Sequence, residues 1–282
     1  MKILVTGATG FLGQHVVPAL MARGHEIIAT ARSLEPVKVF PWSNAVHFYS
    51  HDIHADPVTM PECFGEVEAL VHLAWQGLPN YKAPFHYETN LPADYRFLKS
   101  IVERGVKHLL VTGTCFEYGT QNGCLSEEMP TDPANPYALA KDTLRKFLQM
   151  LQSQMPFILQ WVRLFYLYGP GQNPNSLLSQ LDKAIDRGDA LFNMSGGEQL
   201  RDYLPIEEVA RVLAIMLEHP ELAGIINCCS GIPISVRSLV EARLAERGSD
   251  MALNLGHYPY PDYEPMAFWG SRNKLYRALR TA

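Results

Sequence analysis

The sequence has 282 residues, of which 47% are hydrophobic and 19% charged, and its formal net charge is −5. This composition excludes a disordered chain, and the acidic balance gives no reason to expect nucleic acid as a partner. No stretch approaches 18 uninterrupted apolar residues, so we expect no membrane-spanning helix. The opening stretch MKILVTGATG predicts a strand and a turn rather than a signal peptide, which indicates a cytoplasmic protein.

Short apolar runs alternate with amphipathic segments through the first two-thirds of the chain. Buried parallel strands are predicted for the runs KILVTG, HEIIATA, AVHFY, ALVHLA, HLLVTG and FILQWVRL. Segments of helical length lie between them, for example over residues 11–23, 88–104 and 137–153. This alternation predicts an α/β fold with a Rossmann-type, doubly wound parallel sheet.

The pattern of predicted strands and helices changes after residue 170. The stretch YGPGQNPN is a turn-rich break, after which GIINCCSG predicts one more strand and ISVRSLVEARLAERG one more helix. We therefore expect a sheet domain over residues 1–170 and a smaller C-terminal region over 171–282, with some of its segments returning to the sheet. That region should pack at the carboxyl edge of the sheet, where open α/β folds bind ligands.

A glycine-rich loop, GATGFLG, follows the first strand directly. Glycines at this spacing allow a tight turn, bring backbone N–H groups close to a pyrophosphate and let the next helix pack against the strand. The strand before and the helix after supply the context that such a motif requires. The cofactor-binding residues predicted here are Gly7, Thr9, Gly10, Phe11, Leu12 and Gly13.

The end of the second strand predicts which dinucleotide is bound. Folds that prefer NAD usually place an acidic residue here to hold the ribose 2′-hydroxyl, whereas a nearby arginine accommodates a 2′-phosphate. In this chain the acid is replaced by Ala31, and Arg32 follows it. The pattern predicts NADP(H), with Arg32 as the contact to the 2′-phosphate.

In the stretch NPYALAKD, Tyr137 and Lys141 stand four residues apart and so share one helix face. Such a pair alone is common by chance. Together with the GxxGxxG spacing of the N-terminal loop, however, it resembles the extended branch of the short-chain dehydrogenase/reductase superfamily. This branch contains the NAD(P)-dependent epimerases and dehydratases of nucleotide sugars, and the resemblance covers nearly the whole chain.

The resemblance implies a catalytic triad of Thr114, Tyr137 and Lys141, with Thr114 in the place of the family's catalytic serine or threonine. A free tyrosine has a pKa of about 10, which a neighbouring ammonium and an oxidised nicotinamide would lower. Tyr137 would then exchange a proton with a substrate oxygen, and Lys141 would also hold the nicotinamide ribose. Further cofactor contacts implied after the third and fourth strands are Asp52, Ile53, Leu73 and Ala74.

The substrate contacts implied by the resemblance are less specific. The stretch RDYLPIEEVA resembles a segment whose arginine meets a sugar-nucleotide diphosphate, and the fork of a guanidinium suits phosphate oxygens. Arg201 is therefore the first candidate, the alternative being a surface arginine paired with Asp202 or Glu207. Position alone suggests three sugar contacts: Trp75, Glu117 and Tyr166.

Neither the cysteines nor the histidines indicate a metal. The cysteines are odd in number and lack CxxC or Cys/His spacing, so we predict small, mostly buried side chains in a reducing compartment. His47, His51 and His54 cluster but lack the carboxylate or cysteine partners of a metal site.

Differences from the family's sequence pattern reduce the number of candidate reactions. Sugar-nucleotide 4,6-dehydratases follow their catalytic threonine with an Asp-Glu pair, but Thr114 is followed by Cys115 and Phe116, which cannot act as acid and base. A 4-ketoreductase and a 4-epimerase remain. The missing acid at Ala31 favours the reductase, as does the compact C-terminal region with its aromatic, proline-rich lid GHYPYPDYEPMAFWGSRNKL. Both features resemble the CDP-abequose and CDP-paratose synthases of bacterial deoxysugar pathways, which serve lipopolysaccharide O-antigen.

We therefore expect an NADPH-dependent reduction of the C4 ketone of a nucleotide-linked 4-keto-6-deoxyhexose, with CDP, dTDP or GDP as the nucleotide. The family resemblance also suggests a homodimer through the helices that carry the Tyr/Lys pair. A different class of function is a non-catalytic NADP sensor. Sensors of this fold commonly lose the tyrosine or the lysine, and both are present here.

Overall fold

The computed structural model describes residues 1–33, 39–55, 59–260 and 264–279. The strands within these ranges are β1 (Lys2–Thr6), β2 (Glu26–Ala31), β3 (His47–Ser50), β4 (Ala69–His72), β5 (His108–Thr114), β6 (Gly123–Leu125), β7 (Ile158–Leu164), β8 (Tyr166–Tyr168), β9 (Leu191–Asn193), β10 (Leu200–Arg201), β11 (Tyr203–Pro205), β12 (Gly224–Cys228), β13 (Ile234–Ser235), β14 (Ala252–Asn254) and β15 (Phe268–Gly270). The α-helices are α1 (Gly13–Ala22), α2 (Leu91–Glu103), α3 (Pro136–Gln154), α4 (Leu177–Arg187), α5 (Ile206–Glu218), α6 (Val236–Glu246) and α7 (Asn273–Leu279).

The central sheet has seven parallel strands within the described residues, in the order β3-β2-β1-β4-β5-β7-β12. Strands β1 to β3 extend the sheet toward one edge, and β4, which lies beside β1, begins the strands that extend it toward the other edge. The carboxyl ends of β1 and β4 therefore flank a topological switch point, where open α/β sheets bind ligands. The predicted doubly wound parallel sheet is confirmed.

Two apolar clusters cover the two faces of this sheet. One contains side chains of α1 and α5, such as Val17 and Leu213. The other contains side chains of α2 and α3, such as Leu98 and Leu148. Burying each such side chain stabilises the fold by about 1.5–3 kcal/mol before entropy costs. The layers of an α/β/α sandwich thus hold the carboxyl edge of the sheet rigid.

The apolar runs predicted the seven strands of the central sheet, and the helical periods predicted α1, α2, α3 and α6. The strand predicted from AVHFY forms as β3, but its side chains are mostly exposed, so the prediction of a buried strand is wrong there. β3 is one of the two edge strands, and among the described residues it pairs with β2 alone, so it is less covered than the central strands. The helix predicted over 88–104 begins at Leu91, after a π-helical turn over His86–Asn90.

Part of the C-terminal third belongs to the central sheet. β12 pairs with β7, and α5 packs beside α1. The remaining elements form a separate apolar cluster, in which α4 and α6 contribute Leu181 and Val240. The boundary at residue 170 stays a prediction. Across the described residues, no helix is both long and apolar enough to cross a membrane.

Candidate active site

The carboxyl edge of the sheet opens into a cavity of about 610 Å³. Loops after β1 and β4, the end of β5, the first turns of α3 and the residues between β7 and α4 surround it. The predicted site residues that line it are Gly7, Gly10, Phe11, Leu12, Gly13, Leu73, Trp75, Thr114, Tyr137, Lys141 and Tyr166. A second cavity, of about 540 Å³ between α4 and α6, contains none of the predicted site residues.

The glycine loop leads from β1 into the first turn of α1. The N-cap Leu12 makes no side-chain cap and the first turn has no acidic residue, which leaves this positive helix end suited to an anion. A Cβ on Gly13 would lie 2.2 Å from the carbonyl oxygen of Gly7, so only glycine lets α1 pack this closely on the loop. This geometry is compatible with the pyrophosphate of a dinucleotide, and that role of the loop stays a prediction.

The three predicted catalytic residues meet at one wall of the cavity. Thr114 ends β5, and α3 begins directly after Asn135, whose side chain accepts a hydrogen bond from the Ala138 N–H. This cap fixes the start of α3, so that Tyr137 and Lys141 share its buried face one turn apart. The Thr114 side chain lies close enough to Tyr137 to act on the pKa of its phenol, in the direction opposite to burial.

Burial is the main influence on the pKa values of Tyr137 and Lys141 in this wall. Burial raises the pKa of Tyr137 well above 10, and nearby Tyr81 and Glu117 add to the rise. Burial also lowers the pKa of Lys141 from 10.5 to about 8, although Asp94 and Glu117 act in the opposite direction. In this structure burial is the largest influence, so the pKa of Tyr137 is raised rather than lowered. The lowering expected when an ammonium and an oxidised nicotinamide lie beside the phenol stays a prediction.

The Lys141 ammonium is held away from solvent by a hydrogen bond of 2.9 Å to the Thr112 carbonyl oxygen. It also lies 4.2 Å from the centroid of the Trp75 ring, a cation–π contact. Trp75 Nε1 donates to Nδ1 of His86 over 3.0 Å, and His86 Nε2 donates to the Asn80 carbonyl oxygen. Sequence reasoning placed Trp75 near the sugar but did not predict His86, which no motif or periodicity marks.

The residues predicted to hold the adenosine end lie outside the cavity lining. Arg32 is exposed, and its Nη1 donates to Oε1 of Gln76 over 3.0 Å. Asp52 is also exposed and accepts from the His54 N–H, whereas Ile53 is buried in the core. Their roles in binding a cofactor stay predictions.

Two of the four predicted substrate contacts face elsewhere. The prediction for Glu117 is wrong, because its carboxylate has no exposed surface and accepts hydrogen bonds from Arg163 and Trp161 beneath the cavity. It lies in a 3-10 turn over residues 115–118 rather than in a strand. Arg201 does not line the cavity either, since its guanidinium is buried against Glu264 at 2.8 Å.

The partner of Arg201 comes from the predicted lid, of which residues 261–263 lie outside the described part. Its described residues place Phe268 under the Arg201 guanidinium at 4.6 Å. The alternative partners Asp202 and Glu207 do not form this ion pair. A diphosphate contact by Arg201 stays a prediction.

The chemistry of the lining limits the reactions that this wall can perform. Among the described residues that line the cavity, none is Asp, Glu or His, and Lys141 is the single lysine or arginine. Cys115 and Phe116 lie in the wall beside Thr114, and burial raises the pKa of the Cys115 thiol far above its ordinary value. The wall thus offers a phenol, a hydroxyl and an ammonium, but no carboxyl acid–base pair.

Polar residues between β8 and α4 form the opposite rim of the cavity. They are Gln172, Asn173, Asn175 and Ser176. In the sequence this stretch indicated only a turn, so these residues were not predicted to belong to the site. A groove with neutral amide donors beside a glycine loop suits a ligand with several oxygen acceptors.

Comparisons with known proteins agree with this geometry. A model of the NAD dependent epimerase/dehydratase family matches residues 3–229. The chain is 34% identical over 273 residues to a dTDP-6-deoxy-L-talose 4-dehydrogenase (NAD(+)) of Aggregatibacter actinomycetemcomitans, covering 96% of this chain and 100% of the relative. It is 27% identical over 269 residues to a UDP-glucose 4-epimerase of Halalkalibacterium halodurans, covering 86% and 79% of the two chains.

Solved structures share the fold over almost the full length. An NAD-dependent NDP-hexosamine 5,6-dehydratase involved in tunicamycin biosynthesis superposes with a TM-score of 0.84 at 26% identity, covering 98% of this chain and 90% of the other. The UDP-glucuronic acid 4-epimerase from Bacillus cereus, solved with UDP-glucuronic acid and NAD, superposes with a TM-score of 0.84 at 22% identity, covering 100% and 94%. The chain belongs to the NAD dependent epimerase/dehydratase family.

Proposed function

We propose that the chain is a nicotinamide-dependent oxidoreductase that interconverts the C4 ketone and the C4 hydroxyl of a nucleotide-linked 6-deoxyhexose, working as a 4-ketoreductase with NADPH. One observation carries this proposal. Thr114, Tyr137 and Lys141 line the same cavity as the glycine loop, so a dinucleotide held by the loop and a sugar at the triad would meet there.

The residues of this wall can manage the proton of such a reaction. When bound in the cavity, the nicotinamide supplies hydride to C4 of the sugar or takes it away. Tyr137 donates its phenolic proton to the C4 oxygen during reduction, and burial keeps that proton on the phenol by raising its pKa. The Thr114 hydroxyl, which lines the same wall as Tyr137, orients the same oxygen. Lys141 lies one helical turn from Tyr137 in the same wall, where its positive charge would act on the phenol and hold the nicotinamide ribose.

The choice of substrate rests on the relatives and on the lining. The Aggregatibacter relative is named for a dTDP-6-deoxyhexose and for chemistry at C4, so dTDP is the first nucleotide to test, ahead of CDP and GDP. Cys115 and Phe116 in the wall disfavour a dehydratase. A 4-epimerase is the second candidate, because the UDP-glucose 4-epimerase relative indicates it and the same phenol can serve both an oxidation and a reduction at C4.

The cofactor preference is the finer part of the proposal. Ala31 at the end of β2 offers no carboxylate to a ribose 2′-hydroxyl, and Arg32 beside it is exposed and cationic, which favours a 2′-phosphate. The Aggregatibacter relative is named for NAD(+). NADPH and NADH must therefore be compared directly.

The deciding experiment follows the absorbance of reduced nicotinamide with purified protein and 4-keto-6-deoxyhexoses carried on dTDP, CDP and GDP. We expect stoichiometric loss of NADPH with one of them. Tyr137→Phe, which removes only the phenolic O–H, should lower kcat by about 100-fold or more without changing the fold. Full turnover by this variant would contradict the role of Tyr137. Conversion of a 4-hydroxy sugar nucleotide to its C4 isomer without net loss of NADPH would favour the epimerase.

Arg32→Ala tests the cofactor preference. Because a charge-assisted pair with a 2′-phosphate would be lost, the KM for NADPH should rise about 10-fold or more, with little change for NADH. Both constants are measured on the same preparation. An equal rise for the two cofactors, or a wild-type preference for NADH, would overturn the NADPH assignment while leaving the C4 chemistry intact.

A further inference from the structure

Glu117 lies directly beneath the catalytic wall and has no exposed surface. Its Oε1 accepts hydrogen bonds from the Thr114 N–H and from Trp161 Nε1, each at 2.9 Å. Its Oε2 accepts from Nε of Arg163 at 2.7 Å. A desolvated carboxylate is stabilised only by such a full set of donors, so this one is held in a single position.

That position fixes the geometry of Thr114. The Thr114 N–H donates to Glu117, and the Thr114 hydroxyl accepts from the Phe116 N–H over 3.3 Å, so the two residues form a reciprocal capping box. Thr114 is thereby kept extended, with φ −144° and ψ 147°, where β5 passes into the 3-10 turn. The direction in which the Thr114 hydroxyl points depends on this backbone conformation.

The neighbouring residues are shaped to admit the carboxylate. A Cβ on Gly113 would lie 2.4 Å from Oε1 of Glu117 and 2.2 Å from Nε1 of Trp161, so a side chain there would displace both. Arg163 is the nearer of two arginine counter-ions, the other being Arg145 at 3.8 Å from Oε2. Arg163 lies over the ring of Tyr118 at 4.3 Å, and both are buried. The contacts that hold Glu117 therefore connect the end of β5 to β7, behind the cavity wall.

The charge of Glu117 also acts on the catalytic groups. It raises the pKa of Tyr137 and of Lys141, and so favours a protonated phenol beside a protonated amine. This effect needs no contact with a ligand, and Glu117 has none because it does not line the cavity.

We propose that Glu117 is a positioning residue of the active site: through its hydrogen bond to the Thr114 N–H, it sets the orientation in which the Thr114 hydroxyl meets Tyr137 and the substrate oxygen. The inference rests on the proposed function. Because Glu117 reaches neither cofactor nor substrate, its effect on catalysis passes through Thr114.

Glu117→Gln is the principal variant. A glutamine keeps the volume but has one acceptor oxygen and turns an NH₂ group toward the existing donors, so it cannot satisfy all three. We expect kcat to fall about 10- to 100-fold, as for a small misplacement of a catalytic group, with the KM for the cofactor within about twofold. Trp161→Phe, which removes one donor and keeps the ion pair, is a milder second variant that should lower kcat in the same direction.

Gln160→Ala serves as the matched control. Gln160 is buried on β7 and bonds to His108 and to backbone oxygens at the other end of the strand pair. Its loss should lower the melting temperature and leave kcat near the wild-type value at temperatures where the protein is folded. A similar fall in kcat for Gln160→Ala would show that any weakening of these strands is enough, and would overturn the positioning role.

A double-mutant cycle with Thr114→Ala separates positioning from general damage. If Glu117 acts through Thr114, Glu117→Gln lowers kcat no further in the Thr114→Ala background. The proposal would be contradicted if the double variant had a kcat lowered by the product of the two single-variant factors.

A measurement made without substrate tests the link between Glu117 and Thr114 independently of the proposed function. Hydrogen exchange of the Thr114 amide, followed by NMR, should be about 10-fold faster or more in Glu117→Met than in the wild type or Gln160→Ala, because methionine has no oxygen to accept this N–H. Unchanged exchange would refute the Glu117–Thr114 link. If the exchange changes but no nucleotide sugar is turned over by the wild type, the proposed function fails instead.

Discussion

At the scale of the residue, the Lys141 ammonium is the most consequential group in the cavity wall. Its side chain is 1% exposed, and its partners are a carbonyl oxygen and an indole ring rather than a carboxylate. Desolvation therefore disfavours the charged form, and the pKa falls from 10.5 to about 8. A lysine that titrates near neutral pH is suited to tune a neighbouring phenol.

The stability of the folded chain should register this lowered pKa. Between pH 8 and 10.5 the unfolded chain holds the Lys141 proton and the folded chain has lost it. The free energy of unfolding of the wild type should therefore rise with pH in this window relative to Lys141→Met, by an amount on the order of 3 kcal/mol. Urea unfolding of both proteins at several pH values measures the difference, in which other titrating groups cancel.

The opposite slope would mean that an unseen partner stabilises the charged form. A difference between the two proteins that does not vary with pH would show that the pKa of Lys141 is not lowered. Either result would remove the argument that burial controls this site.

At the scale of the element, α3 has two faces with different tasks. The inward face carries Tyr137 and Lys141, and further apolar side chains that pack under the sheet. The outward face carries Leu139, Phe147 and Met150, which are 46%, 43% and 65% exposed and recur at helical spacing. Phe147 also meets Tyr95 of α2 edge to face, so the two helices share an apolar surface. We propose that a second copy of the chain covers this surface, as the family resemblance suggested.

Met150→Lys tests the dimer. Because Met150 is largely exposed in the single chain, the charge should not affect folding, but it should be costly in an apolar interface. We expect the wild type to sediment as a dimer at micromolar concentration and the variant to shift toward monomer. Leu191→Lys, on an exposed leucine of β9 remote from α3, is the control that should stay dimeric. A monomeric wild type, or an unchanged Met150→Lys dimer, would contradict this interface.

At the scale of the whole molecule, the cavity exists because segments far apart in the sequence end at one edge. The loops after β1, β4 and β5 come from the first half of the chain, and the polar rim before α4 comes from the second. β12 and α5 close the sheet and cover one of its faces from beyond residue 200. The first 170 residues alone would leave Val17 and Leu20 of α1 without the α5 side that covers them, so the two parts depend on each other.

Local rules were enough to predict the strands of the central sheet, the helices between them and the glycine loop: β-branched and aromatic runs form buried strands, and four-residue spacing places side chains on one helix face. The triad of Thr114, Tyr137 and Lys141 was implied by the family resemblance instead. The same local rules failed at Glu117. Its neighbours in space, Trp161 and Arg163, lie more than 40 residues away, and no spacing in the sequence announces them.

The pairing of charges and the extent of their burial depend on how distant segments pack in three dimensions. Glu264 pairs with Arg201, and His86 fixes the Trp75 ring over Lys141, through contacts between distant segments. The direction of the Tyr137 pKa was likewise decided by desolvation, which depends on everything packed around the phenol. Local sequence sets which groups are present, but the free energy of a charge depends on its surroundings in three dimensions.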